Sequence, residues 1–372
     1  MIEAPHTESA SLVIDNLLLQ QVGETLRVGL TDDQRVEIAA SGEHGYEVRP
    51  VPSAGVQVEE LLQFLNAIVL TDELIVDAAS TSSWEDVASH FGPATEARLL
   101  IKKPFSEVRS EWLPLRKLAE EALSFSPQLS ADFAEFRANW KPGVNDPVFS
   151  TLMWGTAGMI ARSQYLKKPY LSHPSRSRLI DLGHLAPHRS NAQEIVQRFV
   201  VTERVKLFDR VTAGQKTRAA TLSLPPLGLE VIAESRDRSQ LLPTAIQLRE
   251  KYRHLREWIG EYQLALETSP AGAAKKMATL EAAANDIERL FAGSWWSKLS
   301  VSFGMSLTDL LPSVPVGAVV QRALPGSIRA AVTKMIHRPW DESSLEKLFV
   351  ILGTDSPKLR VQTLRHLQGI HQ

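Results

Sequence analysis

Two successive stretches in the C-terminal half of the chain carry apolar residues at the spacing of a helical seam. In the first stretch the residues lie alternately four and three positions apart: Leu248, Tyr252, Leu255, Ile259, Tyr262 and Leu266. The second stretch repeats the pattern with Met277, Leu280, Ala284, Ile287 and Phe291. Such alternation keeps the apolar side chains on one face of a helix. Ser269 and Pro270 lie in the break and are typical of a helix start. The pattern predicts a long antiparallel helical hairpin at about residues 244–292, whose seam either packs inside the chain or contacts a partner.

The rest of the chain predicts short strands first and helices afterwards. Four runs separated by turn residues favour a small antiparallel meander: Ser11–Leu19, Thr25–Leu30, Arg35–Ala40 and Tyr46–Val51. Apolar spacing of three and four residues then predicts helices from Val56 onwards. The predicted fold is therefore mainly α with a small antiparallel β part (α+β), built as a helical bundle around the hairpin. We expect three parts, an acidic β-rich part over residues 1–55, a helical domain over 56–298 and a mixed part over 299–372.

The net charge of −2 is the sum of unlike segments. Residues 1–100 hold 4 Lys or Arg and 17 Asp or Glu, a net charge of −13, whereas residues 162–218 hold 12 and 4, a net charge of +8. A uniformly basic nucleic-acid binder is excluded, but a basic segment at 162–218 remains. Two readings are open: this segment binds a polyanion, or the acidic N-terminal part docks on it within one fold.

Several classes of protein and site are excluded or disfavoured by residues that the sequence lacks. It has no cysteine, so it has neither a disulfide scaffold nor a Cys-ligated zinc site. The first ten residues have no basic and apolar signal-peptide pattern, and we expect a cytoplasmic protein. Leu299–Gln321 lacks Lys and Arg but contains Asp309, Pro312 and Pro315, which disfavours a membrane span.

The densest candidate site lies between Arg162 and Arg189, in a stretch that we expect to be mostly loop. Basic side chains there are interleaved with Tyr165 and Tyr170, a combination that can pair with phosphates and stack on bases. The candidate anion-binding residues are Lys167, Lys168, Arg176, Arg178 and Arg189.

Three further patterns suggest chemistry, each with a competing structural interpretation. Asp181, His184 and His188 have the spacing of metal ligands on a helix, although Pro187 disfavours a continuous helix there. Arg178 and His184 fit an R-x4-6-H ribonuclease pattern, but four such pairs occur and about two are expected by chance. A third pattern, the carboxylates of Asp72, Glu73 and Asp77, could bind Mg²⁺, or form a polar edge.

No sequence motif names a reaction or a cofactor. The phosphate-binding GxxxxGK[ST] loop, GxGxxG, HExxH and GxSxG are all absent. We therefore expect an intracellular regulatory or adaptor protein that acts through protein–protein contacts, with Leu248, Tyr252, Leu255, Ile259 and Tyr262 as the candidate contact residues. The partner is either a different protein or a second copy of this chain. The alternatives are a nucleic-acid-binding protein or nuclease that uses residues 162–218, and a membrane-active effector that uses Leu299–Gln321.

Overall fold

The computed structural model describes ten stretches of the chain, and the statements below concern these alone. They are residues 11–42, 45–80, 99–143, 146–185, 218–224, 227–253, 256–257, 301–307, 342–354 and 356–367. The helices are α1 (Asn16–Val28), α2 (Ser53–Leu70), α3 (Arg109–Leu123), α4 (Pro127–Asn139), a π-helix (Pro147–Trp154), α5 (Gly155–Leu166), α6 (Pro174–Leu185), α7 (Leu227–Glu234), α8 (Leu241–Lys251), α9 (Glu342–Ile351) and α10 (Pro357–Leu367). The strands are β1 (Ser11–Ile14), β2 (Gln34–Ser41), β3 (Gly45–Pro52), β4 (Glu73–Asp77), β5 (Leu100–Lys103), β6 (Tyr170–Leu171), β7 (Arg218–Leu224) and β8 (Val301–Leu307).

A four-stranded parallel sheet lies at the centre, in the order β5-β4-β1-β6. All four residues of β1 are buried, as expected for a strand that is covered on both faces. Its side chains alternate between two cores: Leu12 and Ile14 join the largest cluster, whereas Val13 packs with the cluster around Phe105 and Trp112. Helices therefore cover both faces of the sheet.

Helix α2 is the central element of the largest core. Nearly every one of its 18 residues is buried, and it contacts α1, α7, α8 and α10. Both of its ends are fixed by hydrogen bonds between a side chain and the backbone. Arg249 donates hydrogen bonds to the carbonyl oxygens of Ile68 and Thr71, each at 2.6 Å, which satisfies the last turn of the helix. Gln57 accepts the backbone N–H of Thr31 at 2.9 Å.

The prediction of a mostly helical chain with a small antiparallel β part is confirmed at that level. The predicted strands Arg35–Ala40 and Tyr46–Val51 form the β2–β3 hairpin, with Ala40 opposite Tyr46. The sequence also predicts two short helices near Ser344–Leu352 and Pro357–Leu367, and both are present, as α9 and α10. The parallel sheet was not predicted, because its strands are short and are separated by long helical stretches.

Three local predictions are wrong. Of Ser11–Leu19, predicted as one strand of an antiparallel meander, only Ser11–Ile14 is a strand, it lies in the parallel sheet, and α1 begins at Asn16. Thr25–Leu30, predicted as a strand, lies mostly in α1, where Leu18, Leu19, Val22 and Leu26 form one buried face. Part of the stretch predicted as loop between Lys167 and Arg189 is helix α6, because Pro174 suits a first helical turn and Leu179 packs into the core beside α3 and α4.

Several predicted features lie outside the described residues or at their edge. Of the hairpin at 244–292, the described part is α8 and three helical positions beyond it, Arg253, Arg256 and Glu257. The start of the apolar stretch 299–321 is strand β8, which pairs with β7 in an antiparallel ladder. Among the described residues, no helix is long and apolar enough to cross a membrane.

The close approach of α7 to α2 predicts a sharp difference between two glycines. A Cβ at Gly228 would lie 2.9 Å from the carbonyl oxygen of Leu62, whereas a Cβ at Gly158 meets no atom within 4 Å. We expect Gly228→Ala to lower the free energy of unfolding by about 1–3 kcal/mol, because the packed helices must separate. Gly158→Ala should leave it unchanged or raise it by up to about 1 kcal/mol through helix propensity. Urea unfolding checks both, and equal values for the two variants would contradict the close packing.

Candidate functional site

The order of the parallel sheet places a crevice at the carboxyl end of β1. The chain runs from β1 to β4 and β5 on one side, while β6 lies on the other side of β1. Open α/β sheets usually bind ligands at such a reversal of strand order. Asp15 directly follows β1, and Ser172 and His173 directly follow β6. These residues therefore lie at the crevice.

Asp15 lies in the crevice, and groups of this chain occupy both of its oxygens. Oδ1 accepts the backbone N–H of Leu17 at 2.8 Å and a hydrogen bond from Nη1 of Arg176 at 2.5 Å. Oδ2 accepts the backbone N–H of His173 at 3.0 Å and the hydroxyl of Tyr170. Burial alone would raise the pKa of Asp15, but the charge of Arg176 and these hydrogen bonds hold it below its ordinary value. The carboxylate is a structural anchor that caps α1.

Arg176 is the cationic partner of Asp15 and is itself almost fully buried. Its Nη1 also donates to Asn16, and its Nε and Nη2 donate to the carbonyl oxygen of Thr151 at 3.1 and 2.7 Å. The guanidinium passes so close to Gly155 that a Cβ there would lie 2.0 Å from Nη2. The Asp15–Arg176 pair therefore joins β1, α1, the π-helix and α6.

A second buried ion pair lies next to the first. Glu60 of α2 is fully buried and accepts hydrogen bonds from Arg35 and from Nε2 of His173. Nδ1 of His173 accepts the backbone N–H of Ser175 at 3.1 Å, which places the ring proton on Nε2. Although Ser175, His173 and Glu60 are the residue types of a hydrolase, the serine is 2% exposed and Nδ1 is engaged by backbone. In this arrangement the serine hydroxyl is covered and Nδ1 is engaged, so we interpret the group as structural.

Two further arginines of the predicted basic segment, Arg178 and Arg162, also pair with the acidic N-terminal part. Arg178 binds Glu37 of β2 and Glu59 of α2, the latter at 2.7 Å, and Glu59 also contacts Nε2 of His366 at 2.9 Å. Burial would raise the pKa of Glu59, but His366 and Arg178 hold it below its ordinary value. Arg162 binds Asp77 at 3.0 Å. For these arginines, the geometry matches the reading in which the acidic part docks on the basic part.

The other residues singled out by sequence are scattered. Of the candidate anion-binding residues, Lys167 is exposed and Lys168 half-buried at the end of α5, Arg176 and Arg178 are paired as described, and Arg189 lies outside the described residues. Asp181 is exposed on α6, which also carries the backbone of His184, while His188 lies outside the described residues. Within the described stretches, no group of three or more His, Asp or Glu side chains could hold a metal ion.

The structure also locates members of the other two predicted clusters. Leu248 and Tyr252 are buried in the largest core, whereas Leu255, Ile259 and Tyr262 lie outside the described residues. Glu73 and Asp77, two of the candidate Mg²⁺ ligands, stand at opposite ends of β4. Glu73 accepts a hydrogen bond from Ser11 and Asp77 binds Arg162.

An aromatic surface that sequence reasoning missed lies on α4, the π-helix and α3. Trp140 and Trp154 meet edge to face with ring centroids 5.3 Å apart, and Trp140 is 40% exposed. Phe136 packs edge to face on Trp154 at 5.8 Å, and Arg116 lies 4.4 Å over the Trp154 ring. We call Arg116, Phe136, Arg137, Trp140 and Trp154 the aromatic–arginine face.

The π-helix explains why this face forms where it does. Asp146 caps it by accepting the N–H of Phe149 at 2.5 Å, and Gly155 continues it directly into α5. The wider winding changes the direction of its side chains relative to α5, and π-helical segments often occur at functional sites. The sequence signal that could have revealed the face is the spacing of Phe133, Phe136 and Trp140, which predicts a helix at this place but does not show which ring stays exposed.

The Asp15–Arg176 pair makes a direct prediction about stability. Asp15→Asn leaves the Arg176 charge buried without its partner, which should lower the free energy of unfolding by about 3–5 kcal/mol. The matched control is Asp32→Asn, since Asp32 binds Lys358 at the surface and both side chains are more than half exposed. That change should cost at most about 1 kcal/mol. Equal losses in urea unfolding would contradict a structural role for the buried pair.

The lowered pKa values of Asp15 and Glu59 predict a pH dependence. Both groups bind protons more weakly in the folded chain than at their ordinary pKa values of 3.8 and 4.5. Their stabilisation is therefore complete above those values and is lost as the pH falls through the folded pKa values. We expect the free energy of unfolding to fall less steeply with acidification in Asp15→Asn and in Glu59→Gln than in the parent. Parallel curves would contradict this assignment.

Comparison with known proteins found no matching family model, no matching curated protein and no matching solved structure. The function must therefore be inferred from the geometry of this chain. In it, an internal ion pair lies in the crevice at the sheet, and the aromatic–arginine face is half exposed.

Proposed function

We propose that this is a regulatory or adaptor protein that binds another protein through the aromatic–arginine face. The observation that carries the proposal is the exposure of Trp140, which keeps 40% of its surface accessible while it packs against Trp154. A large ring that is held rigidly and left exposed gains apolar contact at little cost in conformational entropy when a partner covers it. Tryptophan and arginine are also the residue types that most often dominate binding energy at protein interfaces.

The arrangement of the rings favours a protein partner over a nucleic acid. Base stacking needs open ring faces in a row. Arg116 covers a face of Trp154, while Trp140 and Phe136 meet that ring at steep angles of 80° and 86°. The remaining accessible surface is that of a single exposed indole beside edges of other rings, which suits insertion into a pocket of a partner.

The nucleic-acid-binding alternative has less support. Arg162, Arg176 and Arg178, which belong to the basic segment on which it depends, contact Asp77, Asp15, Glu37 and Glu59. Phosphate groups would have to compete with these carboxylates at partly or fully buried positions. A nuclease that uses Arg178 would have to break the contacts of that side chain with Glu37 and Glu59.

Truncation of the exposed ring tests the proposed function. Affinity-tagged parent, Trp140→Ala and Val350→Ala would be expressed at equal levels in cells of the source organism and purified with their bound proteins. Val350 is the matched control, because it is an exposed apolar residue, 69% accessible, on the distant helix α9. We expect one or more proteins to be retained stoichiometrically by the parent and by Val350→Ala and to be reduced at least about tenfold with Trp140→Ala, as at a central interface residue.

Two measurements accompany that comparison. Urea unfolding of Trp140→Ala should be close to that of the parent, since the ring is partly exposed. Sedimentation of the purified parent distinguishes a second copy of this chain from a different protein as the partner. Identical sets of bound proteins for all three forms, with no self-association, would contradict the proposed function.

A further inference from the structure

The charges of the aromatic–arginine face indicate what kind of partner it fits, an inference that rests on the proposed function. Arg116 and Arg137 approach one carboxylate, that of Glu120, from opposite oxygens at 2.9 and 2.7 Å. The Glu120 side chain is only 7% exposed, whereas that of Arg137 is 43% exposed. Two guanidinium groups thus share one buried carboxylate, and one of them reaches solvent beside the rings.

Two further arginines add to the positive potential at this place. Burial lowers the pKa of Arg116, and the charges of Arg109 and Arg162 act in the same direction against the opposing effect of Glu120. Arg162 has its own contact with Asp77. Among the described residues, the salt bridges at this place join Arg116 and Arg137 to Glu120 and Arg162 to Asp77, three arginines to two carboxylates. An incoming negative charge would therefore be stabilised there.

We propose that the aromatic–arginine face binds an acidic segment of a partner protein, with a carboxylate on Arg137 and an apolar side chain against Trp140. The planar guanidinium of Arg137 presents paired N–H donors that match a carboxylate. Its guanidinium carbon lies 5.2 Å from the centre of the Phe133 ring, which holds the donor group in a defined position. An acidic segment with an apolar residue next to its carboxylate satisfies both the charge and the exposed indole.

An acidic protein segment fits this face better than a single-stranded nucleic acid, although both bring negative charge. A nucleic acid places phosphates at regular intervals and relies on successive stacked bases. The face offers one accessible indole and one strongly exposed guanidinium, a spacing suited to a short contact. Preferential binding of a single-stranded nucleic acid is therefore the competing outcome of the test.

The test is direct binding of defined probes to the purified full-length chain. A fluorescent peptide in which Glu and Asp alternate with Leu and Trp would be compared by anisotropy with its Gln and Asn counterpart and with an oligothymidylate. We expect the acidic peptide to bind, with an affinity that falls as salt is raised, and the neutral peptide and the oligothymidylate to bind at least about tenfold more weakly.

Three variants localise the contact. Arg137→Gln should weaken binding of the acidic peptide by about fivefold to tenfold. The matched control Arg49→Gln removes an arginine that is 57% exposed on β3 and bound to Glu47, and it should leave binding unchanged. Glu120→Gln removes the internal competitor of the peptide carboxylate and should strengthen binding, provided that its unfolding curve shows an intact fold.

The outcomes separate this inference from the proposed function. If the acidic peptide fails to bind, binds no better than the oligothymidylate, or binds Arg137→Gln as well as the parent, the inference is overturned. If in that case Trp140→Ala still loses its cellular partner, the face is an interface for a partner of other chemistry. If Trp140→Ala keeps every bound protein, the proposed function itself fails.

Discussion

The buried pair of Asp15 and Arg176 is the interaction on which the rest of the structure depends. Two charges with almost no contact with water are tolerated only when the pair is close and its other donors and acceptors are satisfied. Here backbone N–H groups, the Tyr170 hydroxyl and the Thr151 carbonyl meet that condition. Each contact ties a different segment to the end of β1, so the pair fixes where β6, α6 and the π-helix lie against the sheet.

The same network explains why we do not propose the crevice at the sheet as the binding site. In many α/β proteins this position is open to a ligand. In this chain Asp15 and Arg176 bind each other and neighbouring groups of the crevice, and Glu60, Arg35 and His173 continue the network into the core. Among the described residues, Arg162, Arg176 and Arg178 of the basic segment thus pair with carboxylates of the acidic N-terminal part. The aromatic–arginine face, which includes Trp154 of the π-helix, lies outside this network, and its Trp140 is exposed.

Helices and strands could be predicted from the sequence where their apolar pattern depends on neighbouring residues. The β2–β3 hairpin, α4 and the two C-terminal helices follow from alternation or helical spacing, which local steric preferences impose. Prediction failed where contacts with distant segments decide whether a stretch forms a strand or a helix. The run Ser11–Leu19 contains both a short buried strand and the start of α1, and the division at Asp15 depends on partners more than 150 residues away.

The candidate site shows the same division. From the sequence alone, the composition, the absence of catalytic motifs, the charge of each segment and most helical faces were determined, because these are properties of residue type and spacing. Tertiary structure alone decided that Arg176 is buried, that Arg178 is shared between Glu37 and Glu59, and that Trp140 stays half exposed. The reason is physical: the free energy of a charge or an exposed ring depends on which groups surround it, and here those groups come from distant parts of the chain.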